Sequence, residues 1–263
     1  MSFKKIPRGV KSFTFSIAVI IGLCCLLLGS RAANETVKLQ KHVDFVKDTA
    51  DSAEVEAEVI SKSEDLYGKL GLAYLGLSKQ AFAYALQGYN KLLGEGKIKN
   101  EDVLSIIDFT LPSFKKRLFV LDIKAATVVF NTYVSHGKNS GKETATKFSN
   151  APNSFKSSLG FYVTGDTYMG HHGYSLRLEG EEAGINDNAL NRGIVMHSAD
   201  YVNENFIHSQ GYIGRSEGCP AIPEKLHKDI IEKIKNGSCL FLYGNDRKYF
   251  AKTKIIKKQS IQV

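Results

Sequence analysis

The sequence predicts a mainly β, α+β fold in which a helical segment precedes a β-rich domain. Seven short runs rich in β-branched and aromatic residues follow one another from residue 103 onward, with turn residues between them. One helical period precedes these runs, and a second interrupts them late in the chain. With 263 residues, 43% of them hydrophobic, the chain is large enough to bury a core of its own.

The first predicted helix runs from Ser78 to Gly94. Apolar residues recur on one face at helical spacing: Phe82, Leu86, Tyr89 and Leu93. Serine is a favoured N-cap, and glycine commonly ends a helix. We interpret this segment as a helix that packs against the domain. A helix that binds a partner is the alternative.

The predicted strands share short length and flanking turn residues. They lie at residues 103–109, 117–123, 127–134, 157–165, 173–180, 193–197 and 239–244. A late helix is predicted to start at Pro223, because proline suits the first helical position, and to stop at Gly237. Its apolar face consists of Leu226, Ile230, Ile231 and Ile234.

Residues 1–32 have the pattern of an export signal. A basic run that includes Lys4 and Arg8 precedes an apolar run from Thr14 to Gly29, and a small residue at Ala32 suits a cleavage site. An uncleaved signal anchor, or a lipid on one of the two cysteines in the apolar run, is the alternative. We therefore predict an exported protein of the periplasm or cell envelope, either released or held at the inner membrane by its N-terminus.

The rest of the chain is divided by composition into a polar tether and helical segment (33–100), the β-rich domain (101–250) and a basic tail (251–263). Removal of residues 1–32 takes away five of the 35 Lys and Arg residues and none of the 27 acidic ones, so the formal net charge falls from +8 to +3. The basic composition is therefore largely that of the signal, and we predict no nucleic-acid partner.

Cys219 and His197 form the candidate catalytic pair. Cys219 lies in G-R-S-E-G-C-P-A, and His197 ends the apolar run G-I-V-M-H. A free thiol is mostly protonated near neutral pH, and histidine is the usual base that activates it. The amides of Gly218 and Cys219 are expected to face a developing oxyanion. A helix N-terminus after Pro220 is expected to favour the thiolate.

A disulfide is the alternative use of this thiol. After signal cleavage only Cys219 and Cys239 remain, and exported proteins can form disulfides. Cys239 lies in a short apolar run that predicts a buried strand. A bond between the two sulfurs would leave no nucleophile.

Two motifs follow each other in a fixed order: H-S-A at 197–199, then G-R-S-E-G-C-P-A at 214–221. Upstream stretches such as Y-M-G-H-H-G-Y-S-L-R-L-E-G and N-D-N-A-L-N-R-G-I-V-M-H extend the set over about residues 101–245. This ordered set resembles the L,D-transpeptidases of bacterial peptidoglycan, and more narrowly the branch whose motif ends in G-C-P-A.

The resemblance implies a β-rich catalytic domain that acts on peptidoglycan stem peptides through a cysteine acyl-enzyme, with no metal or cofactor. It implies that Cys219 is the nucleophile and His197 the general base and acid. It also implies that the carbonyl of Ser198 orients the imidazole, and that Ser216 is the serine of the family's S-H-G-C motif. The histidine of that motif is Glu217 here. The arginine that often follows the family's cysteine at two positions is Ala221, and Arg215 is our candidate for the missing positive charge.

Five residues are candidates for substrate binding: Tyr168, His172, Arg177, Arg215 and Ser216. Guanidinium binds carboxylates bidentately, so Arg177 suits the carboxylate of a stem peptide, and a structural ion pair is the alternative. Arg192 is interpreted as structural. His171 and His172 are not interpreted as metal ligands, because adjacent histidines point apart in a strand and no acidic or cysteine partner has ligand spacing.

The sequence thus predicts an exported L,D-transpeptidase that cross-links stem peptides through an acyl-enzyme on Cys219. If water resolves the same acyl-enzyme, the protein is an L,D-carboxypeptidase or endopeptidase. A non-catalytic cell-wall-binding module, with Cys219 in a disulfide, is the alternative from another class.

Overall fold

A computed structural model describes residues 61–257 of the chain. The chain divides into two units, Met1–Val59 and Ile60–Val263, and the described residues belong to the second unit. The predicted signal (1–32), most of the predicted tether and residues 258–263 therefore lie outside the described residues. No helix between residues 61 and 257 is long and apolar enough to cross a bilayer.

Eight strands form one mixed sheet, which confirms the predicted fold class. The strands are β1 (Val103–Asp108), β2 (Leu118–Asp122), β3 (Thr127–Thr132), β4 (Gly160–Gly170), β5 (Gly173–Gly180), β6 (Val195–Ala199), β7 (Ala221–Pro223) and β8 (Cys239–Tyr243). Their order is β3-β2-β1-β8-β4-β5-β6-β7. The β1–β8 and β6–β7 pairs are parallel and the others are antiparallel. Each of the seven predicted runs overlaps one strand, and β7 had no predicted counterpart.

Helices flank the sheet. Residues 61–69 are helical, and they are followed by α1 (Leu72–Leu75), α2 (Lys79–Gly94), α3 (Glu204–Gln210), α4 (His227–Ile234) and α5 (Arg247–Lys252). The predicted cap of α2 is present, because the Ser78 hydroxyl accepts a hydrogen bond from the Ala81 amide at 3.1 Å. The predicted helical start at Pro223 is wrong. Pro223 pairs with Ala199 in the β6–β7 ladder, and α4 begins only at His227.

Helix α2 packs on the sheet and is part of its core. Phe82, Tyr89 and Leu92 are buried in the same cluster as the central strands β1 and β8. Near the C-terminus, Ile255 and Ile256 are buried in this cluster as well. Residues on both sides of position 100, and some in the predicted basic tail, therefore share one core. The predicted domain boundaries themselves stay predictions.

Gly88 sets the distance between α2 and the sheet. A Cβ atom at this position would lie 2.0 Å from Cζ of Phe161. Phe161 is fully buried and stacks on Phe241 with ring centroids 4.2 Å apart, so its ring has no free space to move into. We expect Gly88→Ala to reduce the free energy of unfolding by about 1–3 kcal/mol, the usual cost of overpacking. Urea unfolding of the purified protein measures this.

Gly94 is the matched control on the same helix, since nothing lies within 4 Å of its Cβ position. Alanine is favoured over glycine in a helix by about 1 kcal/mol, so Gly94→Ala is expected to be neutral or stabilising. If Gly88→Ala stabilised the protein like Gly94→Ala, the proposed close approach of helix and sheet would be refuted.

Candidate active site

His197 lies on β6 and is almost completely buried, with 2% of its surface exposed. Its Nδ1 is 2.8 Å from the carbonyl oxygen of Ser198. Because a carbonyl only accepts hydrogen bonds, Nδ1 carries the proton and Nε2 keeps its lone pair in the neutral ring. This is the contact that the resemblance implied for Ser198, and it leaves the Nε2 lone pair able to accept a proton.

Cys219 reaches the same region from the loop before β7. In the parallel β6–β7 ladder His197 pairs with Ala221, so Cys219 lies two residues before the partner of His197. The thiol is partly exposed and donates a hydrogen bond to the carbonyl oxygen of Gly193, 3.5 Å away. Among the hydrogen bonds of residues 61–257, this is the one that Cys219 Sγ donates, and none joins it to His197. In the described residues the Cys219 thiol and the His197 imidazole therefore have separate hydrogen-bond partners.

Hydroxyl groups hold the loop that carries Cys219 and precedes β7, which we call the cysteine loop. Ser216 Oγ accepts a hydrogen bond from the Gly218 amide at 3.1 Å and donates one to the Cys219 carbonyl at 2.6 Å. Ser157 Oγ donates to the Gly218 carbonyl at 3.2 Å, and Ser135 Oγ accepts from the Ala221 amide at 3.1 Å. Sequence reasoning missed Ser135 and Ser157, which come from segments far from Cys219 in the chain.

The expected orientation of the Gly218 amide differs from the observed one. Ser216 Oγ already accepts from this N–H, so it points into the loop and not toward a reacting carbonyl. The N–H groups of Val195 and of Cys219 itself lower the pKa of the Cys219 thiol, so both lie near the sulfur. Gly218 instead supplies backbone freedom, because its φ of +130° suits glycine and few other residues. Of the two expected oxyanion donors, the Cys219 amide is therefore the better candidate.

Burial dominates the electrostatics of the pair. It raises the pKa of the Cys219 thiol above the usual value, although the Val195 amide and the Arg192 guanidinium lower it in part. Burial also lowers the pKa of His197, against the effect of the Ser198 carbonyl and with a smaller lowering by His172. Both groups are thus neutral near neutral pH. The expected help from a helix N-terminus is absent, because the strand β7 separates Cys219 from α4.

The imidazole of His172 covers that of His197. His172 lies in the turn between β4 and β5 and stacks on His197, with ring centroids 4.2 Å apart and an angle of 19° between the ring planes. The sequence singled out His172 as a substrate-binding candidate, and the structure brings it to the catalytic pair. Nothing in the sequence indicated that its contact would be the histidine itself.

A model of the L,D-transpeptidase catalytic domain matches residues 74–243, more than half of the chain. The chain belongs to the L,D-transpeptidase catalytic-domain family. The same family was indicated by the motifs around His197 and Cys219.

Solved structures of L,D-transpeptidases are similar to part of this family member. One from Mycobacterium smegmatis has 16% identity and a TM-score of 0.35, over 54% of this chain and 59% of that one. One from Mycobacterium tuberculosis H37Rv has 12% identity and a TM-score of 0.33, over 54% and 58%. One from Stackebrandtia nassauensis has 14% identity and a TM-score of 0.35, over 70% and 76%. The chain thus spans under two thirds of the mycobacterial proteins. No curated protein sequence matches it.

This family member departs from the S-H-G-C motif at Glu217, whose side chain is 69% exposed. It pairs with Lys138, Nζ to Oε1, at 2.7 Å. Arg215 donates hydrogen bonds to the carbonyl oxygens of Lys138 and Gly141, at 3.2 and 3.1 Å. Both side chains therefore fasten the cysteine loop to residues 138–141. The Arg192 guanidinium lowers the pKa of the Cys219 thiol. The assignment of Arg215 to substrate binding stays a prediction.

Arg192 is held by backbone and hydroxyl oxygens. Its Nη2 lies 2.7 Å from the carbonyl of Lys156, and its Nη1 lies 2.6 Å from Ser158 Oγ. Burial lowers its pKa, and the Cys219 thiolate would raise it. The interpretation of Arg192 as structural is therefore incomplete, because the same guanidinium also lowers the pKa of Cys219.

The structure does not bring Arg177 and Tyr168 to the catalytic pair. The Arg177 guanidinium lies 4.6 Å from the centroid of the Tyr168 ring. Arg177 lines a cleft of about 640 Å³ together with Asp166, Glu179 and other residues, and neither Cys219 nor His197 lines this cleft. Their assignment to substrate binding stays a prediction without a contact to support it.

Cys219 and Cys239 are both free thiols. Cys239 is fully buried in β8, between β1 and β4, and burial raises the pKa of its thiol strongly. Within residues 61–257 no group of three or more His, Cys, Asp or Glu residues is arranged to hold a metal ion.

Proposed function

We propose that this protein is a peptidoglycan L,D-transpeptidase in which Cys219 is the nucleophile and His197 the general base and acid. The observation that carries the proposal is the pair itself. A buried imidazole has its Nδ1 fixed by the Ser198 carbonyl, and a braced loop presents a partly exposed thiol beside the same strand. Family membership supports the choice of stem peptides as substrates.

The proposed reaction has two steps that share one acyl-enzyme. The Cys219 thiol gives its proton to Nε2 of His197 and attacks the carbonyl between an L- and a D-centre of the donor stem. A C–S bond forms, the C–N bond breaks, and the imidazolium returns the proton to the departing amine. An acceptor amine then attacks the thioester, His197 takes its proton, and the Cys219 thiol is released. The Cys219 amide is the proposed oxyanion donor.

We also propose that this reaction takes place in the cell envelope. The basic run and apolar segment of residues 1–32 support export, as does the peptidoglycan substrate of the family. Those residues lie outside the part of the chain that the structure describes.

Labelling with a carbapenem tests the nucleophile. The strained lactam carbonyl is an acyl donor for a thiolate, so we expect mass spectrometry of the intact protein to show one covalent adduct on Cys219. The Cys219→Ala variant is expected to show none, because the proposed nucleophile is removed. Cys239→Ala is the matched control and is expected to be labelled like the wild type, since the Cys239 thiol is buried and inert.

An adduct that persists in Cys219→Ala, or its absence from every variant, would contradict the proposal. Incubation with purified sacculi then separates the two fates of the acyl-enzyme. New cross-linked dimers indicate transfer to an amine, whereas shortened stems without new dimers indicate hydrolysis by water. The binding-module alternative predicts neither product and no free thiol in the native protein.

A further inference from the structure

The turn between β4 and β5 presents two adjacent histidines to the site, and only one of them contacts His197. Gly170 and Gly173 pair at the end of the hairpin, which leaves His171 and His172 as its two turn residues. Both are exposed side chains. The His172 ring stacks on His197 with centroids 4.2 Å apart, while the His171 ring contacts His172 at 5.2 Å. An exposed side chain thus covers a buried catalytic base.

The stacked ring of His172 restrains His197 in addition to the hydrogen bond to the Ser198 carbonyl. The hydrogen bond from Nδ1 to the Ser198 carbonyl fixes one ring atom, at 2.8 Å. One hydrogen bond leaves the plane of the ring free to tilt, because a carbonyl accepts over a broad range of directions. A second ring 4.2 Å away and 19° from parallel restricts that tilt. Cys219 Sγ is hydrogen-bonded to the Gly193 carbonyl and not to His197, so the thiol does not hold the imidazole in place. The restraint on the imidazole therefore comes from its other contacts.

We propose that His172 is a positioning residue for His197: its stacked imidazole holds the plane of the catalytic base while Cys219 is deprotonated. The proposal rests on the proposed function of the pair. Glu217, which replaces the motif histidine, is solvent-exposed and paired with Lys138, so the second imidazole of this site comes from the hairpin.

His172 also affects the charge of His197. Two imidazoles this close together disfavour a positive charge on His197, because like charges repel. The groups around the pair are His171 and His172 on the hairpin, the Ser198 carbonyl on β6, and Cys219 with Arg192 and Glu217 near the cysteine loop. His172 lowers the pKa of His197, so its removal is expected to raise that pKa.

Two substitutions separate the ring from its charge. We expect His172→Ala to slow carbapenem acylation of Cys219 by about 10- to 100-fold, because a loosely held base is misplaced for proton transfer. His172→Phe keeps a flat ring without a titrating nitrogen, so it is expected to retain most of the rate. In both variants the acid limb of the pH–rate profile is expected to move to higher pH, because His197 then becomes protonated at higher pH.

His171→Ala is the matched control, since it removes the neighbouring histidine of the same turn and keeps the stack on His197. It is expected to change neither the rate nor the acid limb. A wild-type rate and limb in His172→Ala, or a His172→Phe rate as low as that of His172→Ala, would overturn the proposal.

A readout without turnover distinguishes this proposal from the proposed function. NMR titration of His197 in Cys219→Ala is expected to show a higher pKa after His172→Phe than after His171→Ala. If the wild type fails to acylate, the proposed function is refuted, but the titration still tests the stack. An unchanged His197 pKa in both His172→Phe and His172→Ala would overturn the contact between the two imidazoles alone.

Discussion

His197→Gln is expected to lower the rate of Cys219 acylation near neutral pH by about 10²–10⁴-fold, the usual contribution of a general base. The reason is the neutral resting pair. Burial raises the pKa of the Cys219 thiol, so the fraction of thiolate that forms without a base is small. Glutamine keeps a polar side chain but has no group that takes a proton at this pH. Carbapenem acylation followed by mass spectrometry measures the loss.

The pH dependence separates loss of the base from loss of the fold. His197 has a lowered pKa, so the wild type keeps its base down to a pH below the ordinary value of histidine, about 6.5. In His197→Gln the thiolate must form by direct ionisation, so the rate is expected to rise steadily with pH up to the raised pKa of Cys219. The exposed His208 on α3 supplies the control, and His208→Gln is expected to behave like the wild type. A His197→Gln profile that matches the wild type would exclude His197 as the base.

The sequence predicted the catalytic pair because both residues lie in short motifs with a local signal. It missed most of what holds the pair. Ser157 and Ser135 contact the cysteine loop from positions far along the chain, and a serine in a polar loop carries no mark of a distant partner. The wrong start at Pro223 has a different cause. Proline suits both a first helical position and a strand edge, and the three residues of β7 are too few to show a strand period.

The contacts made by the β4–β5 hairpin and the cysteine loop could not be predicted from the sequence either. The pattern of 173–180 predicts a strand, but which turn residue stacks on His197 depends on the twist of the β4–β5 hairpin and on its position in the sheet. The Gly218 amide was assigned to the oxyanion from its place beside Cys219. The hydroxyl of Ser216, two residues before it, competes for that N–H, because short polar side chains bond to nearby backbone.

A buried arginine connects the cysteine loop to the centre of the sheet. The Arg117 side chain is fully buried beside Phe109, with its guanidinium 5.1 Å from the ring centroid. It donates to the carbonyl of Val134 at 2.9 Å and to Nδ1 of His136 at 2.7 Å. The His136 carbonyl in turn accepts from the Ser216 amide at 3.0 Å. The segment S-H-G at 135–137 therefore supports the loop that carries Cys219.

Charge makes this cluster sensitive to substitution. Burial lowers the pKa of Arg117 to about 9, so the guanidinium is charged at neutral pH. Burial and Arg117 together lower the pKa of His136 to about 3, so His136 stays neutral and accepts from Arg117. Asp108 is buried nearby, and its Oδ2 has no hydrogen-bond partner among the described residues. Burial raises the pKa of this carboxyl, and the hydrogen bonds from Thr110 and then the positive charge of Arg117 lower it in part.

Arg117→Met is therefore expected to reduce the free energy of unfolding by about 3–5 kcal/mol, because each buried acceptor left without a donor costs about 1–3 kcal/mol. The methionine fills much of the volume but leaves Val134 O and His136 Nδ1 without a donor and Asp108 without a cation. Lys116→Met, at the exposed neighbouring position, is expected to stay within about 0.5 kcal/mol of the wild type. Urea unfolding of both variants checks the difference.

A second substitution shows whether charge or hydrogen bonding accounts for the loss. Asp108→Asn removes the carboxylate that Arg117→Met leaves uncompensated, so the double variant is expected to lose less stability than the sum of the two single variants. If the two losses added, the loss in Arg117→Met would come from the carbonyl and His136 acceptors alone. Equal stability of Arg117→Met and Lys116→Met would contradict both accounts. Because His136 accepts from Arg117 and also holds Ser216, the loss of Arg117 is expected to weaken the support of Cys219 along with the fold.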